Sequence, residues 1–160
     1  MGVDPHNVVR TMSRIVRSAE GTGEVPKLQH VPRTKRGVVA YSAKDIAQNL
    51  HARAIVTFTT SGDTARRVAR LRPDLPILVF TPHPQVRSQL AVSWGAETFL
   101  CRDVHSTDEM IEVVDEILLG MDRYDEGDTM VVVAGTPPGI SGNTNTIHVH
   151  QLGEDTRSPR

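Results

Sequence analysis

The pattern that most limits the fold is an alternation running from Ala54 to Ala134. Four short runs dominated by apolar and β-branched residues (Ala54–Thr59, Ile77–Thr81, Thr98–Arg102 and Met130–Ala134) are separated by stretches with helical spacing. Those stretches are Thr64–Leu71, Pro84–Trp94 and Ser106–Leu119. Pro84 suits the first position of a helix, and Ser106-Thr107-Asp108-Glu109 offers capping hydroxyls followed by early acids. Strand, helix and strand repeated in this way indicate βαβ units, hence a largely parallel sheet with helices on both faces. A last strand, Thr146–Gln151, follows a Gly- and Pro-rich connection from Gly135 to Asn145 that holds no helical pattern. Parallel neighbours usually need a crossover of about a dozen residues or more, whereas an antiparallel strand can return through a loop. The predicted fold class is therefore α/β: a three-layer α/β/α sandwich with a mostly parallel five-stranded sheet and an antiparallel terminal strand at an edge.

Upstream, Val8, Met12, Ile15, Val16 and Ala19 recur at helical spacing behind the capping pair Asp4-Pro5. Gly21, Gly23, Pro26 and Pro32 make the next stretch a linker. A second helix is expected over Arg36–Leu50, burying Val39, Ala43, Ile46, Ala47 and Leu50, and a frayed tail from Glu154. The 160 residues suit one domain with a core large enough to need no disulfide or metal. Aromatics make up only 4% of the chain, so that core must be aliphatic. A net charge of −1 argues against a nucleic-acid-binding module. No run approaches the roughly 20 apolar residues of a membrane span, and no signal-peptide pattern opens the chain. A cytoplasmic protein without membrane partners is expected.

Ligands of open α/β sheets bind at the carboxyl ends of the strands, and two loops there stand out. The first is Thr59-Thr60-Ser61-Gly62-Asp63-Thr64, where a strand stops in a cluster of hydroxyls around one glycine and a helix begins at once. Such a junction aims backbone N–H groups and the positive end of a helix dipole at one point, which suits a phosphate. Simple helix capping by Ser61 or Asp63 is the competing reading, and Asp63 would repel a dianion unless it points away. Arg66, Arg67 and Arg70 follow in the helix and either extend the site or form a solvated face. The second loop, Gly135–Thr144, directly follows an apolar strand and carries Thr136, Gly139, Ser141, Gly142 and Asn143. Length without regular structure is often functional, though a plain connector would also read this way.

His148 and His150 share one face of a strand but have no evident third metal ligand. Trp94 reads as a packing residue, and Cys101 has no strongly electropositive setting. His30, Arg33, Lys35 and Arg36 make a small basic patch. No P-loop, nucleophile elbow or zinc-protease motif is present, so a phosphate cradle without catalytic groups indicates binding rather than turnover.

The ordered motifs carry a resemblance. Asp4-Pro5, Val9-Arg10-Thr11-Met12, Thr57–Arg66, Arg72-Pro73, Pro76-Ile77, Trp94-Gly95, Gly127-Asp128 and Gly142–Thr146 together resemble the C-terminal part of pyruvate kinase over roughly Val3 to Leu152. The resemblance implies that residues 1–20 are the last helix of a catalytic (β/α)8 barrel, 21–34 a linker, 35–153 the regulatory α/β domain and 154–160 a tail. It also implies that a phosphorylated effector binds in the Thr59–Thr64 loop with help from Gly135–Thr144. Family effectors include fructose 1,6-bisphosphate, AMP and sugar monophosphates. Members that respond to bisphosphates often carry a basic residue near the first loop. Asp63 stands there in this chain, which favours a sugar monophosphate or an AMP-type ligand.

The family's catalytic lysine, Mg²⁺-binding acids, K⁺ site and lid all precede the matching region. No residue here receives a catalytic or metal-binding role, and Mg²⁺ and K⁺ are expected only in the catalytic part. The chain would then be a piece of a longer enzyme or a detached regulatory module, inactive alone in phosphoryl transfer from phosphoenolpyruvate to ADP. Its expected partners are its own catalytic domain and further copies of itself through the terminal strand. Two alternatives stand beside this reading. One is a flavodoxin-like FMN-binding electron carrier, for which the available aromatics (Tyr41, Trp94, Tyr124) are few. The other is a stand-alone binding or assembly module.

Overall fold

The computed structural model describes residues 4–22, 32–140 and 142–154. Two helices come first, α1 (Pro5–Thr22) and α2 (Lys35–Asn49). Alternation follows with β1 (Ala54–Phe58), α3 (Asp63–Arg70), β2 (Ile77–Thr81), α4 (Pro84–Leu90), β3 (Ala96–Leu100), α5 (Thr107–Leu118), β4 (Thr129–Gly135) and β5 (Thr144–Gln151). Local chemistry marks the helix starts: Thr34 accepts from the Gly37 N–H at 3.2 Å and Ser106 from the Glu109 N–H at 3.1 Å.

One sheet of five strands has the order β3-β2-β1-β4-β5. The first four are parallel and β5 runs antiparallel to β4, with Val131 opposite Val149. The antiparallel edge strand expected from the helix-free connection is therefore present. Every residue of β1 and β2 is buried, as continuous apolar strands require when both faces of a sheet are covered. Alternate side chains serve opposite layers. Val56, Phe58, Leu78, Phe80 and Val132 pack against Met110, Ile111 and Val114 of α5. Ile55, Ile77, Val79, Val131 and Val133 pack against Ala40, Ala43 and Ala47 of α2, Val68 of α3 and Leu90 of α4.

This arrangement positions the site. From β1 the chain steps outward through α3 and α4 on one face to β2 and β3. It then returns by α5 on the other face to β4, on the far side of β1. The order reverses between β1 and β4, and a crevice opens at the carboxyl ends where it does.

Four boundaries differ from the sequence pattern by two residues or more, one of them the end of β3 at Leu100 rather than Arg102. Helix α4 stops at Leu90 rather than Trp94, and β3 begins at Ala96 rather than Thr98. The Ser93 N–H turns back to the Leu90 carbonyl at 2.9 Å, and Gly95 takes φ +60°. The Ile77 N–H donates to the Gly95 carbonyl, drawing the chain early into the ladder. Strand β5 starts at Thr144, two residues ahead of the pattern, across an irregularity beside Ala134 and Gly135. In α1 the apolar stripe is uncovered: Val8, Met12, Ile15 and Val16 are each more than 50% exposed.

Candidate ligand pocket at the carboxyl ends of the strands

The turn after β1 is built by its own hydroxyls. Gly62 caps α3 in the left-handed region at φ +82°, and its N–H donates to Thr59 Oγ1 at 2.8 Å. The Asp63 N–H reaches Ser61 Oγ at a long 3.4 Å. The N–H groups of Thr60, Ser61, Thr64 and Ala65 donate to nothing among the described residues. Those of Thr64 and Ala65 belong to the unsatisfied first turn of α3, so the loop presents free donors and the positive end of a helix dipole.

The Asp63 carboxylate does not join that cluster. It accepts from Arg67 Nε at 2.8 Å, one turn along α3, and lies 3.8 Å from Arg36 Nη1. Arg66 folds over the loop's outer side, donating to the Ser61 carbonyl at 3.0 Å and standing close to Gly62, where a Cβ would meet its guanidinium at 3.1 Å. Asp63 therefore points away from the turn, the condition under which the loop can accept a dianion.

The second loop is held from behind. The Thr136 N–H donates to Asn145 Oδ1 at 2.8 Å, and its carbonyl accepts from Asn143 Nδ2 at 2.9 Å and Asn145 Nδ2 at 2.7 Å. The Thr136 hydroxyl accepts from Thr146 at 3.0 Å. Gly139 and Gly142 both take positive φ, and the Thr136–Pro137 peptide is cis. At Gly135 a Cβ would stand 2.5 Å from the Asn143 carbonyl oxygen, so glycine is required where the loop's two ends cross. Two contacts then join the loops: Thr64 Oγ1 meets Thr144 Oγ1 at 2.7 Å, and Arg36 lies against Gly142 while reaching Asp63.

Between the loops opens a pocket at the carboxyl ends of the strands. Of the sequence-derived site residues, Thr59, Thr60, Ser61, Thr64, Gly139, Gly142 and Asn143 line it. Gly62 forms the turn beneath it, whereas Asp63 and Thr136 do not line it, the second serving as the loop's scaffold. Ser141 lies outside the described residues, as does His30 of the basic patch.

The floor was not legible in the sequence: Phe58, Phe80, Met110 and Val104, with Phe58 and Phe80 stacked at 5.2 Å. Cys101 and Asp103 complete the wall beyond β3. The rule that found the two loops, carboxyl ends of parallel strands, would also have found this third one. Burial, and then the neighbouring Asp103 charge, push the Cys101 thiol up to about 11, which keeps it protonated and unreactive near neutrality.

The remaining candidates sit elsewhere. Tyr41, Trp94 and Tyr124 do not line the pocket, and Trp94 packs beneath the Arg72 guanidinium at 4.7 Å. His150 is buried and bonds Asp115 through Nε2 at 2.7 Å, while burial and the adjacent His150 hold the His148 imidazole below its usual range. Among the described residues no three side chains form a metal-ligating group, and no helix is long and apolar enough to cross a membrane.

The sequence model of a family described as "Pyruvate kinase, alpha/beta domain" matches residues 38–150. A pyruvate kinase of Corynebacterium efficiens is 68% identical over 160 residues, covering 100% of this chain and 34% of that protein. One from Mycobacterium tuberculosis is 55% identical, covering 97% of this chain and 33% of the relative. A pyruvate kinase of Staphylococcus aureus is 31% identical, covering 96% and 27%. The chain thus spans about a third of the length of the first two relatives, aligning with their C-terminal part.

Proposed function

The chain belongs to the pyruvate kinase family, whose alpha/beta domain it carries, and on that premise we propose that it binds a phosphorylated metabolite and relays its presence to the catalytic part of the enzyme. One observation carries the reading. Hydroxyls, a helix N-terminus and N–H groups without partners among the described residues stand on the wall of a pocket whose one lining thiol, Cys101, is held protonated by burial. A phosphate monoester supplies the oxygens those donors need, and the apolar floor of Phe58 and Phe80 suits the C–H face of a sugar or a base.

Relay follows from connectivity. The second loop runs without a break into β5, which lies at the sheet edge, and Thr64–Thr144 ties it to the first loop. A ligand that draws the two loops together also shifts the start of β5. If β5 pairs with its counterpart in a second copy, as an edge strand can, the ligand favours the subunit arrangement in which its contacts are better. The uncovered stripe of α1 fits the same picture, as a helix of the barrel that packs against the rest of the enzyme. Phosphoryl transfer from phosphoenolpyruvate to ADP, with its Mg²⁺ and K⁺, then belongs to that other part.

Calorimetric titration with AMP, glucose 6-phosphate, ribose 5-phosphate and fructose 1,6-bisphosphate tests the proposal. Binding of at least one ligand should be lost in Thr60→Asp, which puts a carboxylate among the free donors. Equal binding by both proteins would move the site elsewhere. Turnover of phosphoenolpyruvate and ADP by the isolated chain would refute the division of labour.

A further inference from the structure

With Asp63 turned outward, the charge on the pocket's wall is of a different origin. Asp103, in the segment after β3, is the only carboxylate that lines the pocket among the described residues, and no described Lys, Arg or His lines it. It forms no ion pair among the described residues. The adjacent cation, Arg102, is taken by Glu112 and Glu116, so it does not neutralise Asp103. The pocket thus carries free donors after β1 and, two strands away, a carboxylate with no ion-pair partner among the described residues.

The strand order sets their separation. Asp103 follows β3 and the donor loop follows β1, with β2 between them. Two strand spacings amount to about 10 Å. A phosphate on the first loop is thus about a Debye length from Asp103 at 0.1 M salt and barely feels it. The far end of a sugar lying across the floor comes close to the carboxylate. Hydroxyls there can donate to it; a second phosphate there meets like charge.

We propose that Asp103 is the specificity-determining residue of this pocket, accepting from the neutral, hydroxyl-bearing end of a sugar monophosphate and excluding a ligand with an anion at both ends. This rests on the reading of the pocket as a phosphate site and adds to it the residue that chooses among phosphorylated ligands.

The test is a matched pair that differs by one phosphate, glucose 6-phosphate and glucose 1,6-bisphosphate, titrated into the 160-residue chain and its Asp103→Asn variant. Asp103 is exposed and unpaired, so the variant should keep the wild-type unfolding midpoint. A dianion about 6 Å from a carboxylate in water is repelled enough to weaken binding about tenfold at low ionic strength. The expected result is a gain in bisphosphate affinity in Asp103→Asn about tenfold larger than the monophosphate's, whose single phosphate, about 10 Å away, should gain only about two- to fourfold at low salt. That gain should shrink between 20 mM and 300 mM salt, taken as roughly bracketing the screening range. An unchanged ratio of the two affinities, with the monophosphate still bound, overturns the role of Asp103 and leaves the phosphate site standing. Binding of neither ligand to the wild-type chain overturns both.

Discussion

The bond between Thr64 and Thr144 joins two loops eighty positions apart in sequence, and its worth can be worked from burial. Thr64 is 6% exposed and Thr144 only 1%, so water cannot take the place of either hydroxyl. Valine has nearly the shape of threonine. In Thr64→Val the bond is lost and the Thr144 hydroxyl is left buried without a partner, which costs about 1–3 kcal/mol. Thr144→Val does the same in reverse. Removing both hydroxyls leaves no unsatisfied group, and the double variant should unfold close to wild type. For a chain of this size each kcal/mol moves the midpoint by about 2–4 °C, so each single variant should melt roughly 2–12 °C early. Urea unfolding of the four proteins closes a double-mutant cycle whose coupling, the sum of the two single losses, should be on the order of 2–6 kcal/mol. Losses that add within about 0.5 kcal/mol would show that the two hydroxyls act independently and would refute the claim that this bond ties the loops.

Three further outcomes are expected. Thr57 Oγ1 is buried without a hydrogen-bond partner, so Thr57→Val should raise stability by about 1 kcal/mol, read by urea unfolding; a loss would mean that the hydroxyl has a partner. Cys101, with its thiol pushed up to about 11, should be alkylated far more slowly at pH 7.5 in the native chain than in the same chain unfolded in urea; equal rates would contradict its burial. The His148 imidazole is held below its ordinary value of 6.5, by burial first and then by His150. The unfolded chain therefore binds this proton more readily, and stability should fall as pH drops through 6.5 toward the lower native value. His148→Asn should flatten that part of the pH–stability curve, and an unchanged slope would assign it to another group.

Periodicity and turn chemistry are local, and what depends on them could be read from the chain. Strand and helix periods alternate from Ala54 to Ala134, a helix-free connection precludes a parallel crossover, and hydroxyls cluster around Gly62 at a strand's end. These determined the parallel sheet, the antiparallel β5 and the hydroxyl-rich turn that opens α3. Boundaries such as the early start of β3 escaped because a contact from another strand, Ile77 to Gly95, decided them. The pocket's character was a tertiary matter for the same reason. Whether Asp63 faces the ligand depends on Arg67 one turn along its helix and on Arg36 from α2, and the sequence cannot show how α2 lies. Strand order alone brings Asp103 of the β3 loop into the lining of the pocket that the β1 and β4 loops also share. Local sequence determined that hydroxyls and a helix start would cluster at Thr59–Thr64; the packing of distant segments decided which charges line the pocket beside them, because a side chain's direction is set by its neighbours in space.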